Sequence, residues 1–469
     1  MSNIRKEIIL IFDTLLLGGC AVQRYTAAPI SPTATASRFE ARRLSDAGPR
    51  SYEEKYTGHA LSQWPPQSWD LQSLSLAALY FNPAMDLAQA RLATAEGGVI
   101  TARARPNPTI NLSPGVPSPY LFSLNLLAPI ETKGKRGLRV QVAQHLDEAA
   151  QFDLADSAWT VVMGARTALL NYLVVSRSSK LLREEEKSQE DEVAILEQQL
   201  SVGENTTLTV NLARIDLSKT KVAISAMEVQ IVDAKAALSA AIGVPVQALD
   251  GARLSWPGMN APPIAESLPR EAIQRDAVLN RLDVRRSLAQ YAAAEAALQL
   301  EIAKQYPDFN IGPGYTYEER NSFFTVGFST TLPIFNRNQG PIAEAEGRRQ
   351  EAAAAFLQIQ AQAIENSDRA LAAYEAALKQ LKEAHSLYDI QEERLRDIQQ
   401  AIRAGSDYRL SLDGAQIQLS ILASARLNAL ANAQRALGDL ENAVQRPLVP
   451  GEIFPISAKP PVLNALPQK

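Results

Sequence analysis

At 469 residues and 46% hydrophobic content, the chain is long enough for several domains and a large buried core. Its 47 basic and 51 acidic residues leave a net charge of −4, which excludes the global basic field of a nucleic-acid binder. A single cysteine excludes a disulfide framework, and the aromatic content is low at 6%.

The chain opens with Arg5 and Lys6, an apolar stretch from Ile8 to Leu17 interrupted by Asp13, and then Leu17, Gly18, Gly19 and Cys20. The stretch is shorter than the about 20 apolar residues of a spanning helix. Residues 1–19 therefore read as a cleaved export signal, with Cys20 placed for lipidation; the alternative is a free buried thiol in an ordinary helix. The Thr/Ala/Pro/Ser-rich stretch up to about Ser51 lacks a periodic apolar face, so residues 20–70 are expected to form an extended, surface-lying arm.

Beyond it the chain repeats itself. Pro108 to Gly115 (PTINLSPG) returns as Pro307 to Gly314 (PDFNIGPG), and Val202-Gly203 with Leu208 returns as Ala404-Gly405 with Leu410. A period of about two hundred residues marks a duplicated domain-sized module, being too long for a solenoid unit. The copies span 71–249 and 271–447. Between them, 250–270 is a proline-rich linker, and 448–469 is an irregular tail.

Each copy reads as helix, two strands, very long helix, turn and returning helix. The hairpins fall at about 108–130 and 307–334. Phe122, Leu124 and Leu126 alternate with Ser123 and Asn125. Phe309, Ile311, Tyr315 and Tyr317 alternate with Asn310, Gly312, Gly314 and Thr316. Phe324, Val326, Phe328 and Leu332 alternate with Thr325, Gly327, Ser329 and Thr331. Such strands suit a membrane barrel with lipid outside and water inside. A hairpin half-buried on a soluble core gives the same alternation. Two hairpins cannot close a barrel, so a barrel requires several chains.

The tracts from Gly137 to Val202 and from Gly340 to Ala404 are each long enough for a helix of roughly 100 Å. Leu371, Tyr374, Leu378 and Leu381, followed at sevens by Tyr388, Leu395 and Ile402, form a coiled-coil seam. Gly203 and Gly405 are natural helix stops, and Asn205 with Thr206, or Ser406 with Asp407, can cap the returning helix.

Taken together, two copies of hairpin, long helix, Val-Gly or Ala-Gly turn and returning helix, behind Leu17 to Cys20, resemble the TolC-like outer-membrane efflux proteins. The resemblance covers about Leu71 to Pro447. It implies an α+β, mostly helical chain whose homotrimer forms a twelve-stranded membrane β-barrel and a periplasmic helical barrel. Phe122, Leu124, Leu126, Phe309, Ile311, Phe324, Val326 and Phe328 would then face lipid. Val202, Gly203, Leu208, Ala404, Gly405 and Leu410 would form tips that meet a periplasmic adaptor, itself coupled to an inner-membrane pump of the RND type. Pro129 to Arg136 (PIETKGKR) resembles the stretch after the hairpin in the CzcC-like, heavy-metal branch; the alternative is a basic collar in which Lys133, Lys135 and Arg136 meet lipid phosphates. Where relatives carry a ring of aspartates after the second tip, this chain holds Ser411 and Gly414. Asp407, Arg409 and Asp413 are the nearby charges for a different constriction, a solvated helix start being the alternative.

Enzymatic chemistry finds little support. His59, His145 and His385 are widely separated and suggest no metal or catalytic cluster, no cofactor motif is present, and Gly134-Lys135-Arg136 lacks the spacing of a phosphate loop. Glu184 to Glu186 lie on a long helix as a solvated face. The sequence thus points to a passive exit duct of a tripartite efflux system exporting small solutes, heavy-metal cations among them. Drug efflux and protein secretion remain open as cargo, and a lipid-anchored periplasmic coiled-coil adaptor or scaffold is the structural competitor.

Overall fold

The computed structural model describes residues 24–115, 121–405 and 409–449. The export signal, Cys20, the first hairpin turn, Ser406, Asp407 and the tail beyond Val449 lie outside the described residues. Residues up to Arg42 and residues from Arg43 onward form two separate compact units. In the first, helix α1 (Pro32–Glu40) begins at Ser31, whose hydroxyl accepts from the Ala34 N–H at 3.4 Å, and Pro32 occupies the first turn, where a missing donor costs nothing.

In the second unit, helix α2 (Ala47–Thr57) replaces the expected extended chain. The composition misled because the apolar face is aromatic and sparse: Tyr52 and Tyr56, one turn apart, pack on the core, and the Tyr52 ring lies 5.9 Å from that of Tyr80. Trp64 donates from Nε1 to the Ser45 carbonyl at 2.8 Å and meets Trp69 edge-on. Trp69 in turn exchanges backbone hydrogen bonds with Arg253 and Ser255, so this segment is stitched to the linker.

The repeats then follow in order. The first comprises α3 (Leu71–Phe81), α4 (Pro83–Arg103), β1 (Thr109–Gly115), β2 (Leu121–Ile130), α5 (Lys135–Ser201) and α6 (Thr207–Ile242). The second comprises α7 (Arg270–Asn280), α8 (Leu282–Ala303), β3 (Phe309–Glu318), β4 (Asn321–Thr330), α9 (Gln339–Arg403) and α10 (Arg409–Val444). The opening helix of each repeat is broken in two. In the first, Asn82 ends α3 and caps α4 through its side chain, with Pro83 as the next residue. The linker is a series of short 3₁₀ turns rather than loose chain, and it inserts Trp256 and Met259 into the core.

Helices α5 and α9 run 67 and 65 residues, about 100 Å each at about 1.5 Å per residue. Pro341 sits in the first turn of α9 and so breaks no helical hydrogen bond. The seam expected from Leu371 to Ile402 faces inward, with Leu371 and Tyr374 fully buried and Leu378, Leu381, Tyr388, Leu395 and Ile402 half-buried. Gln391 continues it by donating to the Ala415 carbonyl at 2.9 Å.

Each long helix changes partner along its length. In the half nearer the strands the packing order is α4, α5, α8, α9; in the half nearer the tips it is α6, α5, α10, α9. Two hydrophobic cores sit where short helices cross the long ones. One gathers Leu74, Leu79, Leu169, Leu238, Ile242 and Met259, and the other Ile273, Leu371, Leu437, Leu440 and Val444.

The four strands form one antiparallel sheet in the order β1-β2-β3-β4. The second hairpin turns through Glu319 and Arg320, both in the left-handed region, a two-residue turn whose twist matches that of the strands.

Candidate functional site: sheet, rim and tips

The strand register sorts the sheet into two chemically different faces. Ile110 opposite Leu126, Leu112 opposite Leu124, Phe122 opposite Tyr317, Ala128 opposite Ile311, Val326 opposite Pro313 and Phe324 opposite Tyr315 all lie on one side. Asn111, Ser123, Asn125, Gly314, Thr316, Thr325, Gly327 and Ser329 lie on the other. All eight residues expected on the apolar face are therefore on one side. Among the described residues no helix covers that side at β4, where Phe324 is 85% exposed and Val326 and Phe328 are exposed too, which argues against a hairpin half-buried on a soluble core. Ile110 and Leu112 join this face; their alternation with Asn111 was the signal that locates them. Leu332 lies beyond the end of β4.

At the rim, where strands meet helices, the chain turns through Lys133 and Gly134 in the left-handed region. Lys135 departs from the expected lipid-facing collar, of which Lys133 stays exposed and Arg136 half-buried. Lys135 is buried, and its Nζ donates to Asp308 Oδ1 at 2.7 Å and to the Tyr306 carbonyl at 2.5 Å. Thr132 N–H donates to the same carboxylate at 2.7 Å, and Arg139 pairs with Glu131. The rim thus clasps the exit of β2 to the entry of β3, tying the two hairpins together. Partial burial pushes the Asp308 carboxyl up, but the hydrogen bonds from Lys135 and Thr132 outweigh it and hold the group below its usual range. Stability from this clasp is therefore present above the ordinary carboxylate value and lost as pH falls through the lowered one. Thermal stability of detergent-solubilised protein is expected to drop on acidification below about pH 4. In Asp308→Asn it starts lower and shows less of this drop, which melting curves across pH would read.

The tips differ from each other. Gly203 (φ 81°) and Gly405 (φ 97°) both end long helices in the left-handed region, as their sequence positions implied. Thr206 caps α6, its hydroxyl accepting from Thr209 N–H at 3.3 Å. Val202, Leu208 and Ala404 are exposed, and Leu410 is half-buried. Of the three charges near the second tip, Arg409 is exposed, whereas Asp413 is only 6% exposed and packs against α5. Ser188 beside Gln416 sets that level, which places Asp191 and Glu192 against Asp413. Burial first, and then the Asp191 charge, push the Asp413 carboxyl up, and its Oδ2 has no hydrogen-bond partner among the described residues. An aspartate read from sequence as a pore-facing charge is thus an interhelical one in the single chain. Among the described residues no cluster of three or more His, Cys, Asp or Glu is arranged to hold a metal ion.

Comparison with known proteins places this architecture. Residues 74–244 and 273–445 match the family model described as outer membrane efflux protein. The chain is 24% identical to the pyoverdine export outer membrane protein OpmQ of Pseudomonas aeruginosa, across 92% of this chain and 96% of that one. It is 25% identical to the cobalt-zinc-cadmium resistance protein CzcC of Cupriavidus metallidurans, across 58% of this chain and 65% of that one. In fold it is similar to the outer membrane protein VceC of Vibrio cholerae, with a TM-score of 0.63 and 19% identity over 80% of this chain and 95% of that one. Since the family model spans both repeats, the chain belongs to the outer membrane efflux protein family, whose members are channels of the outer membrane extending into the periplasm.

Proposed function

We propose that three copies of the chain close one barrel and one helical tunnel, forming the exit duct of a tripartite system that carries small solutes out of the cell. The observation that carries this reading is the matched set of open edges. Among the described residues of one chain β1 and β4 each lack a second strand neighbour, and the helical layer ends on α4 or α6 at one side and on α9 at the other. Lipid tolerates no open strand edge, so the sheet needs further copies to close. The helical edges are prepared for the same event: Leu208, Ile215, Val222 and Val229 recur at sevens on α6, all exposed, and Leu357, Leu387 and Ile390 are exposed on α9.

In this duct the eight apolar strand residues face lipid, Cys20 adds a lipid anchor, and the polar sheet face lines the water-filled lumen. The exposed tips, Val202, Gly203 and Leu208 with Ala404, Gly405 and Leu410, meet the periplasmic adaptor. An inner-membrane pump of the RND type supplies the energy, and the chain performs no chemistry of its own. Arg409, with Asp407, narrows the tip end, while Asp413 acts from between α5 and α10. Opening is a small rotation of the returning helices α6 and α10 against the long helices α5 and α9, between two discrete packings. The raised Asp413 carboxyl strains the packed arrangement above its ordinary range and relaxes it on acidification.

Cargo is selected by the pump. Within the stretch from Pro129 to Arg136, Glu131, Thr132 and Lys135 serve the rim clasp, a structural role independent of cargo. The relatives named for pyoverdine export and for cobalt, zinc and cadmium resistance make pyoverdine export and metal-cation export the two activities to test.

Purified chain bearing Cys20→Ser is expected to require detergent, to run as a heat-modifiable trimer, and to conduct ions in planar bilayers. A detergent-free monomer, or a folded trimer without conductance, overturns the duct. At the tip, a β-carbon on Gly405 meets nothing within 4 Å among the described residues, so Gly405→Val adds chiefly backbone strain of about 1–2 kcal/mol. Trimer yield should hold while resistance of the host cells falls. Normal resistance in that variant would remove the tip from the mechanism.

A further inference from the structure

The two strand-to-helix joints are built differently. The first, residues 131–134, is short, and the polar clasp described above absorbs it. The second, residues 331–338, is longer and carries Leu332, Ile334 and Phe335, all exposed, Phe335 to 98%. It is nonetheless held in place. Asn338 Nδ2 donates to the Glu301 carbonyl at 2.8 Å and to Glu301 Oε2 at 2.9 Å, Asn336 Oδ1 accepts from Asn338 N–H at 2.8 Å, and Arg337 N–H donates to Gln339 Oε1 at 3.0 Å. Within the loop, Ile334 N–H donates to the Leu332 carbonyl at 2.9 Å. Three apolar side chains are thus presented to the surroundings by an ordered loop, with the exposed Arg337 beside them.

We propose that this loop is a membrane foot: Leu332, Ile334 and Phe335 seat in the boundary between headgroups and acyl chains of the periplasmic leaflet, and Arg337 binds lipid phosphate. The proposal rests on the membrane-barrel reading. Three observations favour lipid over a protein partner. The outward residues Phe324, Val326 and Phe328 alternate along β4, which ends at Thr330, and the exposed Leu332 and Ile334 follow directly beyond it, so the foot adjoins the apolar wall. The height is right, because the Thr330 hydroxyl donates to the Asp308 carbonyl at 2.9 Å and Asp308 holds Thr132, which puts the loop at the rim. There Lys133 already lies over the Tyr306 ring at 4.4 Å, an aromatic and a cation together, as at membrane interfaces. A cation next to exposed apolar side chains matches a surface with both phosphate and hydrocarbon.

Spin labels on the full chain carrying Cys20→Ser, reconstituted in phosphatidylethanolamine and phosphatidylglycerol vesicles, test this. Labels are placed through Phe335→Cys, Phe328→Cys on the barrel wall, and Ser51→Cys as a water reference, and their collisions with oxygen and with a water-soluble nickel chelate are compared. The Phe335 site is expected about 5–10 Å below the phosphates, shallower than the Phe328 site. A label at 335 that behaves like the one at 51, or that is shielded from both reagents because a neighbouring copy covers it, overturns the foot while Phe328 in lipid upholds the barrel. If the Phe328 site is also outside lipid, the barrel reading itself fails, and the foot with it.

Discussion

Replacing Gly312 by valine is expected to abolish trimer assembly. Gly312 lies in β3 where Pro313, having no N–H, cannot donate to the ladder, and the β2 and β3 backbones draw together beside it. A β-carbon on Gly312 would sit 1.7 Å from the Leu126 carbonyl oxygen, against roughly 3.5 Å for ordinary non-bonded contact. The obstacle is main chain, which cannot rotate away, so the join between the two hairpins must open. Gly312→Ala should fail for the same reason. Gly327 gives the contrast: a β-carbon there meets the Leu127 Cδ2 methyl at 3.3 Å, the far end of a flexible side chain, and the Gly312 carbonyl oxygen at an ordinary 3.7 Å. Gly327→Ala should assemble with nearly the wild-type yield. Gel mobility with and without heating reads both, and a heat-modifiable Gly312→Val trimer would show that the hairpins do not share one continuous sheet.

The hairpins, the rods and the glycine stops were all legible in the sequence, because each is specified locally. Alternation at two residues, a seam at three and four, and glycine at a left-handed position leave their mark within a few neighbours. The regions that misled are specified by contacts far along the chain. Lys135 looks like a surface cation until Asp308, 173 positions on, is brought against it. Asp413 looks like a solvated helix start until α5 closes over it. Helix α2 escapes notice because its two tyrosines only become a face when Tyr80 and the linker supply the other side. Lateral order is also invisible in the pattern, since a long helix with small residues on several faces accepts either neighbour, and α5 takes both α8 and α10 in turn.

The same long-range logic makes the junction of the two repeats the most sensitive point in the helical layer. Arg166 on α5, from the first repeat, and Glu441 on α10, from the second, are 2% and 0% exposed and pair at 2.8 Å. The linker closes over them: Trp256 stacks on the Arg166 guanidinium at 4.9 Å, and Gln434 approaches Arg166 at 3.4 Å while donating to the Met259 carbonyl at 2.6 Å. Tyr374 on α9 donates to the Pro263 carbonyl; burial, and then the Glu441 charge, push its hydroxyl well above the usual phenol value, so it remains a donor. A pair this deep gains little over an apolar pair of equal volume, yet losing one member strands a charge in the core. Glu441→Gln is therefore expected to destabilise the helical layer by about 3–5 kcal/mol, read as an earlier urea midpoint in helical circular dichroism. Arg166→Met combined with Glu441→Leu should recover most of that loss, short of the hydrogen bond that Glu441 accepts from Leu448 N–H at 2.9 Å. Arg183→Met, which breaks the exposed pair with Glu228 at 3.0 Å, should leave the midpoint where it was. Equal losses in the single and the double variant would mean that the junction depends on the charge pair itself, and not on packing between the two copies of the module.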